Sequence, residues 1–162
     1  MLMNIVSLKS SPGQQDYILK EEAKAVLKFR YKSDLHIARL ETENQRRVLQ
    51  IDDEGLLKTK LVLKNEYGVR IGSLNYDNFS DTHGTVDIEN TKYRFDIQQG
   101  EKPQLDIYKG SRRNHVYSCQ LAFDNNSKGA RQRSSSLIMA VSWYLFLKNS
   151  MAMPVFNEAI IL

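Results

Sequence analysis

Among the 162 residues there is one cysteine, Cys119, and no second thiol to partner it. That excludes a disulfide framework within the chain and any zinc site built from several cysteines, so stability has to come from packing, and a reducing compartment is expected. Long apolar runs are also missing. Met1 to Ser11 holds no uninterrupted stretch of the seven or so apolar residues that a secretory signal carries, so export by that route is not expected. The most apolar segment, 137–147, is interrupted by Ser142 and is roughly half of the ~20 residues needed to span a bilayer. No G-x-G-x-x-G, P-loop or G-x-S-x-G occurs. With no catalytic constellation in view, the expectation is a protein that is not an enzyme and needs no cofactor.

What is present is an average globular composition, 41% hydrophobic and 26% charged, in a length that suits one domain over 1–162. Its parts read as a β-meander over 24–123, an apolar helix over 134–149 and a tail over 150–162. The charge is uneven. Between Lys109 and Arg133, the cations Lys109, Arg112, Arg113, Lys128, Arg131 and Arg133 face one acid, Asp124, which gives this stretch +5 when the whole chain carries +4. A concentrated patch of this kind creates a local field that attracts anions.

From residue 24 to residue 123 the pattern is period-two alternation broken by turn residues. Ala25, Leu27, Phe29 and Tyr31 alternate with Lys24, Lys28 and Arg30, which is a strand pattern. Val48 to Ile51 follows, then Leu57, Thr59, Leu61 and Leu63 alternating with lysines, then Val69 and Ile71. Asn65-Glu66-Tyr67-Gly68 reads as a hairpin turn with Gly68 free to take positive φ. A second hairpin joins Val86 and Ile88 to Tyr93, Phe95 and Ile97; short strands around Leu105 to Ile107 and Val116 to Phe123 follow. About eight strands near ten-residue spacing predict an antiparallel meander. Residues 14–24 read as a short amphipathic helix.

After residue 133 the period changes. Ser134, Ser135 and Ser136 offer hydroxyls to cap a first turn, Lys148 complements the dipole, and Asn149 can end the helix in a left-handed conformation. Leu137 through Leu147 leaves no polar stripe, and a helix of that character has to be surrounded. The expected fold is therefore mainly β: an antiparallel β-barrel or strongly curved meander sheet around a hydrophobic carboxy-terminal helix.

The segment Leu56-Leu57-Lys58-Thr59-Lys60-Leu61-Val62-Leu63-Lys64-Asn65-Glu66-Tyr67-Gly68-Val69-Arg70-Ile71-Gly72, the strand Lys92 to Ile97 and the helix 137–147 together resemble the tubby C-terminal-like fold. That group includes the plant LURP-one-related proteins, the phospholipid scramblases and small bacterial relatives, and this chain is similar to the small bacterial type over about residues 24–149. The resemblance implies a barrel around a helix, with functions that include phosphoinositide binding and membrane-associated roles. It carries over no catalytic residue.

Several chemistries fall away on spacing. A thiol nucleophile needs a histidine beside Cys119, but His115 is four residues off along a strand, roughly 13 Å at ~3.3 Å per residue. His36, His83 and His115 lack ligand spacing, so no metal is expected. Asp77 to Gly84 departs from a calcium loop because Phe79 stands where an oxygen ligand belongs. Nucleic acid is disfavoured because the aromatics fall on inward faces, Tyr76 and Tyr108 excepted. A lipocalin-like apolar cavity is disfavoured because the helix would fill it.

The basic stretch carries the functional expectation. Lys128, Arg131 and Arg133, beside Ser134 and the amide groups of the helix start, form a candidate site for a lipid headgroup or other phosphate. Arg112, Arg113 and His115 form a secondary basic group at the other end of the last strand. The chain is thus expected to be a cytoplasmic, non-enzymatic binding module, peripheral at an anionic membrane surface. The alternative is a structural or protein-interaction domain, with a protein partner or a homodimer.

Overall fold

A computed structural model describes the backbone of residues 2–11, 13–54, 60–77, 80–111, 114–121 and 130–151, and the side chains of 13–54, 60–77, 80–111, 114–121 and 134–149. Among these are eleven strands and one helix: β1 (Leu2–Ser11), β2 (Gln14–Glu21), β3 (Lys24–Lys32), β4 (Ile37–Glu41), β5 (Arg46–Glu54), β6 (Lys60–Lys64), β7 (Arg70–Tyr76), β8 (His83–Ile88), β9 (Thr91–Gln98), β10 (Gln104–Lys109), β11 (His115–Gln120) and α1 (Ala130–Met151). From β1 to β11 each strand pairs antiparallel with the next, and β1 also pairs with β11, closing a barrel. An odd number of strands running alternately up and down brings the first and last together in the same direction. The closing pair is accordingly parallel, through Leu2↔Ser118, Met3↔Cys119 and Asn4↔Gln120.

The period-two residues form the inner wall. Leu27, Phe29 and Tyr31 of β3, Leu49 and Ile51 of β5, and Tyr93 and Phe95 of β9 are all buried, whereas Lys28 and Arg30 between the β3 residues are exposed. Aromatic rings meet across the wall: Tyr17 stacks on Phe29 at 5.9 Å and Tyr76 meets Phe95 edge-on at 5.4 Å. Such pairs add about 1 kcal/mol each beyond area burial.

Inside this wall runs α1, whose 22 residues make a rod of roughly 33 Å at ~1.5 Å per residue. Every residue from Ser134 through Trp143 is buried, so the helix is enclosed on all sides and joins the same core cluster as the strands. The Tyr76 hydroxyl lies 2.6 Å from Ser135 Oγ, which ties α1 to β7. Where the helix leaves the barrel, Lys148 Nζ sits 3.4 Å from Glu21 Oε1 at the end of β2.

Several expectations are corrected here. Residues 14–24 are not a helix: Tyr17 and Leu19 alternate inward, and β1 and β3 bond to both edges of β2. The sheet gains β1, β2 and β4 over the strands read from periodicity. Ser134 to Ser136 do not cap α1, which starts at Ala130, and Asn149 does not end it, since the helix continues to Met151. Tyr76 is not an exposed aromatic but 7% exposed and turned inward. The tail from 152 onward lies outside the described residues.

Two hairpins are closed by two-residue turns with positive φ at both positions, Glu22–Ala23 (49° and 69°) and Glu89–Asn90 (46° and 68°), the mirror-image turn that matches strand twist. Ala23 is a poor residue for that conformation. Ala23→Gly is expected to stabilise the protein by about 1 kcal/mol in urea denaturation. At Gly84, by contrast, a side chain has no room: an added Cβ would run into the Asn75 carbonyl oxygen and lie 2.9 Å from Tyr76 Cα on the neighbouring strand. Gly84→Ala is expected to cost about 3 kcal/mol in the same measurement, because the obstacle is backbone.

Candidate anion-binding groove on the barrel wall

With α1 filling the interior, the functional surface has to be sought outside. The outward residues of β2 to β5 line up in two rows by strand register. One row is Ile18, Lys28, Glu41 and Arg46; the other is Asp16, Arg30, Arg39 and Val48. Together with Arg47 they bound a groove of about 570 Å³. Ile18 and Val48 supply apolar surface, and five cations stand against two acids, Asp16 and Glu41.

The acids are already engaged. Arg30 Nε donates to Asp16 Oδ1 at 2.8 Å with a second contact at 3.4 Å, and Arg46 lies 3.6 Å from Glu41. Arg47 forms a two-pronged pair with Glu66, at 2.7 and 3.1 Å. Lys28 and Arg39 make no ion pair or hydrogen bond among the described residues, and both are exposed. Arg39 is directly opposite Arg30 in the ladder. Like charges in that position repel unless an anion comes between them. The groove thus presents two uncommitted cations above apolar stems, an arrangement suited to a phosphate or carboxylate carried on a partly apolar ligand.

Of the residues singled out from sequence, Ser134 and His115 have described side chains. Lys128, Arg112 and Arg113 lie outside the described residues, as do the side chains of Arg131 and Arg133, although the latter two belong to the first turn of α1. Ser134 is 3% exposed, so its hydroxyl does not face solvent as a headgroup ligand would require. His115 begins β11 and is exposed.

His115 is part of a polar cluster on the barrel's outer face. Asp106, 3% exposed, accepts from Gln98 Nε2 and Gln104 Nε2, both at 2.8 Å, and from Ser118 Oγ. Ser118 has a single proton, given to Asp106, so its 2.7 Å contact with His115 Nε2 makes the imidazole the donor. A nucleophilic serine needs the reverse, an imidazole that accepts its proton. The cluster is a fully satisfied structural carboxylate rather than an activated triad. Cys119 is 0% exposed and its thiol is pushed up by burial, with the Asp106 charge adding to it, which suits a packed sulfur and not a nucleophile. His83 Nδ1 and Arg94 both contact Asp77, and no cluster of His, Cys, Asp or Glu that would hold a metal occurs among the described residues.

The groove is hidden in the sequence because the short run Ile37–Glu41 does not announce itself as a strand. Lys28-Phe29-Arg30 announces two outward cations, but their neighbour Arg39 comes into view only once Ile37–Glu41 is known to be a strand paired with β3.

The Arg47 pair pulls the Glu66 carboxyl down from its ordinary 4.5 to about 2. A depressed carboxyl stabilises the fold fully above its unfolded value and loses that contribution as pH falls through about 2. The pair is partly solvated, so Glu66→Gln is expected to cost about 1 kcal/mol at pH 7. That difference should shrink between pH 4.5 and 2, as read from urea denaturation midpoints of both proteins.

No protein-family model matches this chain, and no curated protein or solved structure matches it.

Proposed function

We propose that the protein is a non-catalytic binding module that takes phosphate-bearing anionic ligands, those of an anionic phospholipid surface, on the outside of its barrel. The observation that carries this reading is the pair Lys28 and Arg39, two cations without a partner among the described residues, set in a groove whose acids are already bound. The filled interior supports it, because it leaves no room among the inward side chains for a ligand of the lipocalin kind. The cations Lys128, Arg131 and Arg133 contribute to the same reading by their charge.

The resemblance to the tubby C-terminal-like group belongs to this proposal as well. A barrel wound on a buried helix is the architecture that the resemblance implies, and phosphoinositide binding and membrane association occur among its members. The proposed setting is the cytoplasmic face of a membrane, with the protein held peripherally. No helix among the described residues is long and apolar enough to cross a bilayer.

Co-sedimentation with phosphatidylcholine vesicles, plain or containing phosphatidylserine, tests the proposal. Binding only to the anionic vesicles, weakening as salt is raised, is expected. Each basic residue near such a surface contributes about 1 kcal/mol, so Lys28→Ala combined with Arg39→Ala should weaken binding about thirtyfold. Arg131→Ala combined with Arg133→Ala measures the share of the helix start. Absence of binding to either vesicle would sink the proposal and leave a structural or protein-interaction role.

A further inference from the structure

Large hydrophobic side chains exposed on the described surface are few: Leu35, Val48, Tyr67 and Val69. Scattered singly they would need no account. Three of the four, however, belong to one neighbourhood. Tyr67 and Val69, 89% and 57% exposed, occupy the β6–β7 turn, and Val48 is on the adjoining strand β5.

This turn is rigid. Asn65 Oδ1 accepts from the amides of Tyr67 and Val69, both at 3.0 Å. The Asn65 amide donates to the Val69 carbonyl at 2.9 Å, and the Gly68 amide to the Asn65 carbonyl at 3.0 Å, with Gly68 at φ +77°. Arg47 clamps Glu66 from β5, and the Val48 amide bonds the same carboxylate. The backbone that carries the exposed Tyr67 ring is therefore held by its own turn, beside the strand that carries Arg46, Arg47 and Val48 of the groove.

We infer that the β6–β7 turn is the membrane-contacting tip of the protein, with Tyr67 and Val69 entering the interfacial layer of an anionic bilayer while the groove cations meet headgroup phosphates. This rests on the function proposed above. Charge complementarity argues for a lipid surface as the occupant: the apolar tip is flanked by the groove, where cations outnumber acids, and its one acid, Glu66, is consumed by Arg47. Tyrosine suits that layer, its ring apolar and its hydroxyl wet. Prior rigidity spares the entropy of ordering a loop on arrival.

The test uses the full chain with Tyr67→Trp. The native Trp143 is 4% exposed inside the barrel and serves as a constant background that also reports an intact fold. With phosphatidylserine-containing vesicles the emission of the new indole should shift to the blue and be quenched by brominated acyl chains. Tyr67→Ser combined with Val69→Ser should weaken vesicle binding about tenfold and leave binding of a soluble phosphorylated inositol unchanged. If the wild type binds the vesicles but the indole neither shifts nor is quenched, or the serine variant binds as tightly as the wild type, the tip assignment is overturned and the groove reading stands. A serine variant that loses soluble-anion binding equally also overturns it, because the turn would then act through the groove. A wild type that ignores the vesicles overturns both, and the exposed turn would belong to a protein contact.

Discussion

A helix with no polar side cannot lie on a surface, and the rest of this molecule follows from satisfying that demand. Leu137 to Leu147 presents apolar side chains around its full circumference, so a single sheet beneath it would leave half of them in water. Ten antiparallel strands and a closing β1 provide a wall on every side, and the inward residues of those strands are the complement of the helix. The small polar groups inside are the exceptions. Ser135 finds Tyr76, whereas Ser142, wholly buried, has no hydrogen-bond partner among the described residues. That hydroxyl is a cost to stability and one sign that the core is packed for volume more than for polarity.

Filling the barrel moves recognition to its outer wall, where chemistry is arranged by strand register. Residues two apart along a strand and directly opposite across strands share a face, so a charge placed at one position acquires neighbours from segments distant in sequence. Asp16, Arg30, Arg39 and Val48 form one such row although they span 32 positions of the chain. The same geometry gives Asp106 its three donors from β9, β10 and β11. One row is fully paired and closed to solvent, and the other keeps cations in reserve. That contrast, more than net charge, separates a structural polar cluster from a surface able to take a ligand.

The alternation of Leu27, Phe29 and Tyr31, the Asn65-Glu66-Tyr67-Gly68 turn, and the apolar helix were legible because each is a local pattern that burial then enforces. What escaped notice was set from outside the segment. Residues 14–24 hold good helix formers, yet Tyr17 and Leu19 are drawn inward by the strands on either side, and Glu22–Ala23 accepts positive φ to keep the hairpin twisted correctly. Strand β4 is short, and apolar Ile37 sits on the same side as Arg39 and Glu41, which blurs its alternation. Its Arg39 was invisible as a site residue for the same reason. The charge count directed attention to Lys128, Arg131 and Arg133, whereas Ser134 beside them is buried. A tally along the chain does not know which charges already have partners.

The parallel seam between β1 and β11 is the longest-range pairing of the sheet. It joins residues 2–4 to residues 118–120, across nearly the entire sheet, so one edge of β1 stays uncovered until β11 is in place. Ten hairpin-like pairings with low contact order can form in the meantime, and only the closing one is long-range. The helix leaves the barrel beside Glu21 with Ser134 to Trp143 enclosed, so the closed wall and the helix share one core. A chain interrupted before residue 130 would carry a wall of inward Leu, Phe and Tyr with nothing to wrap, a condition that favours aggregation.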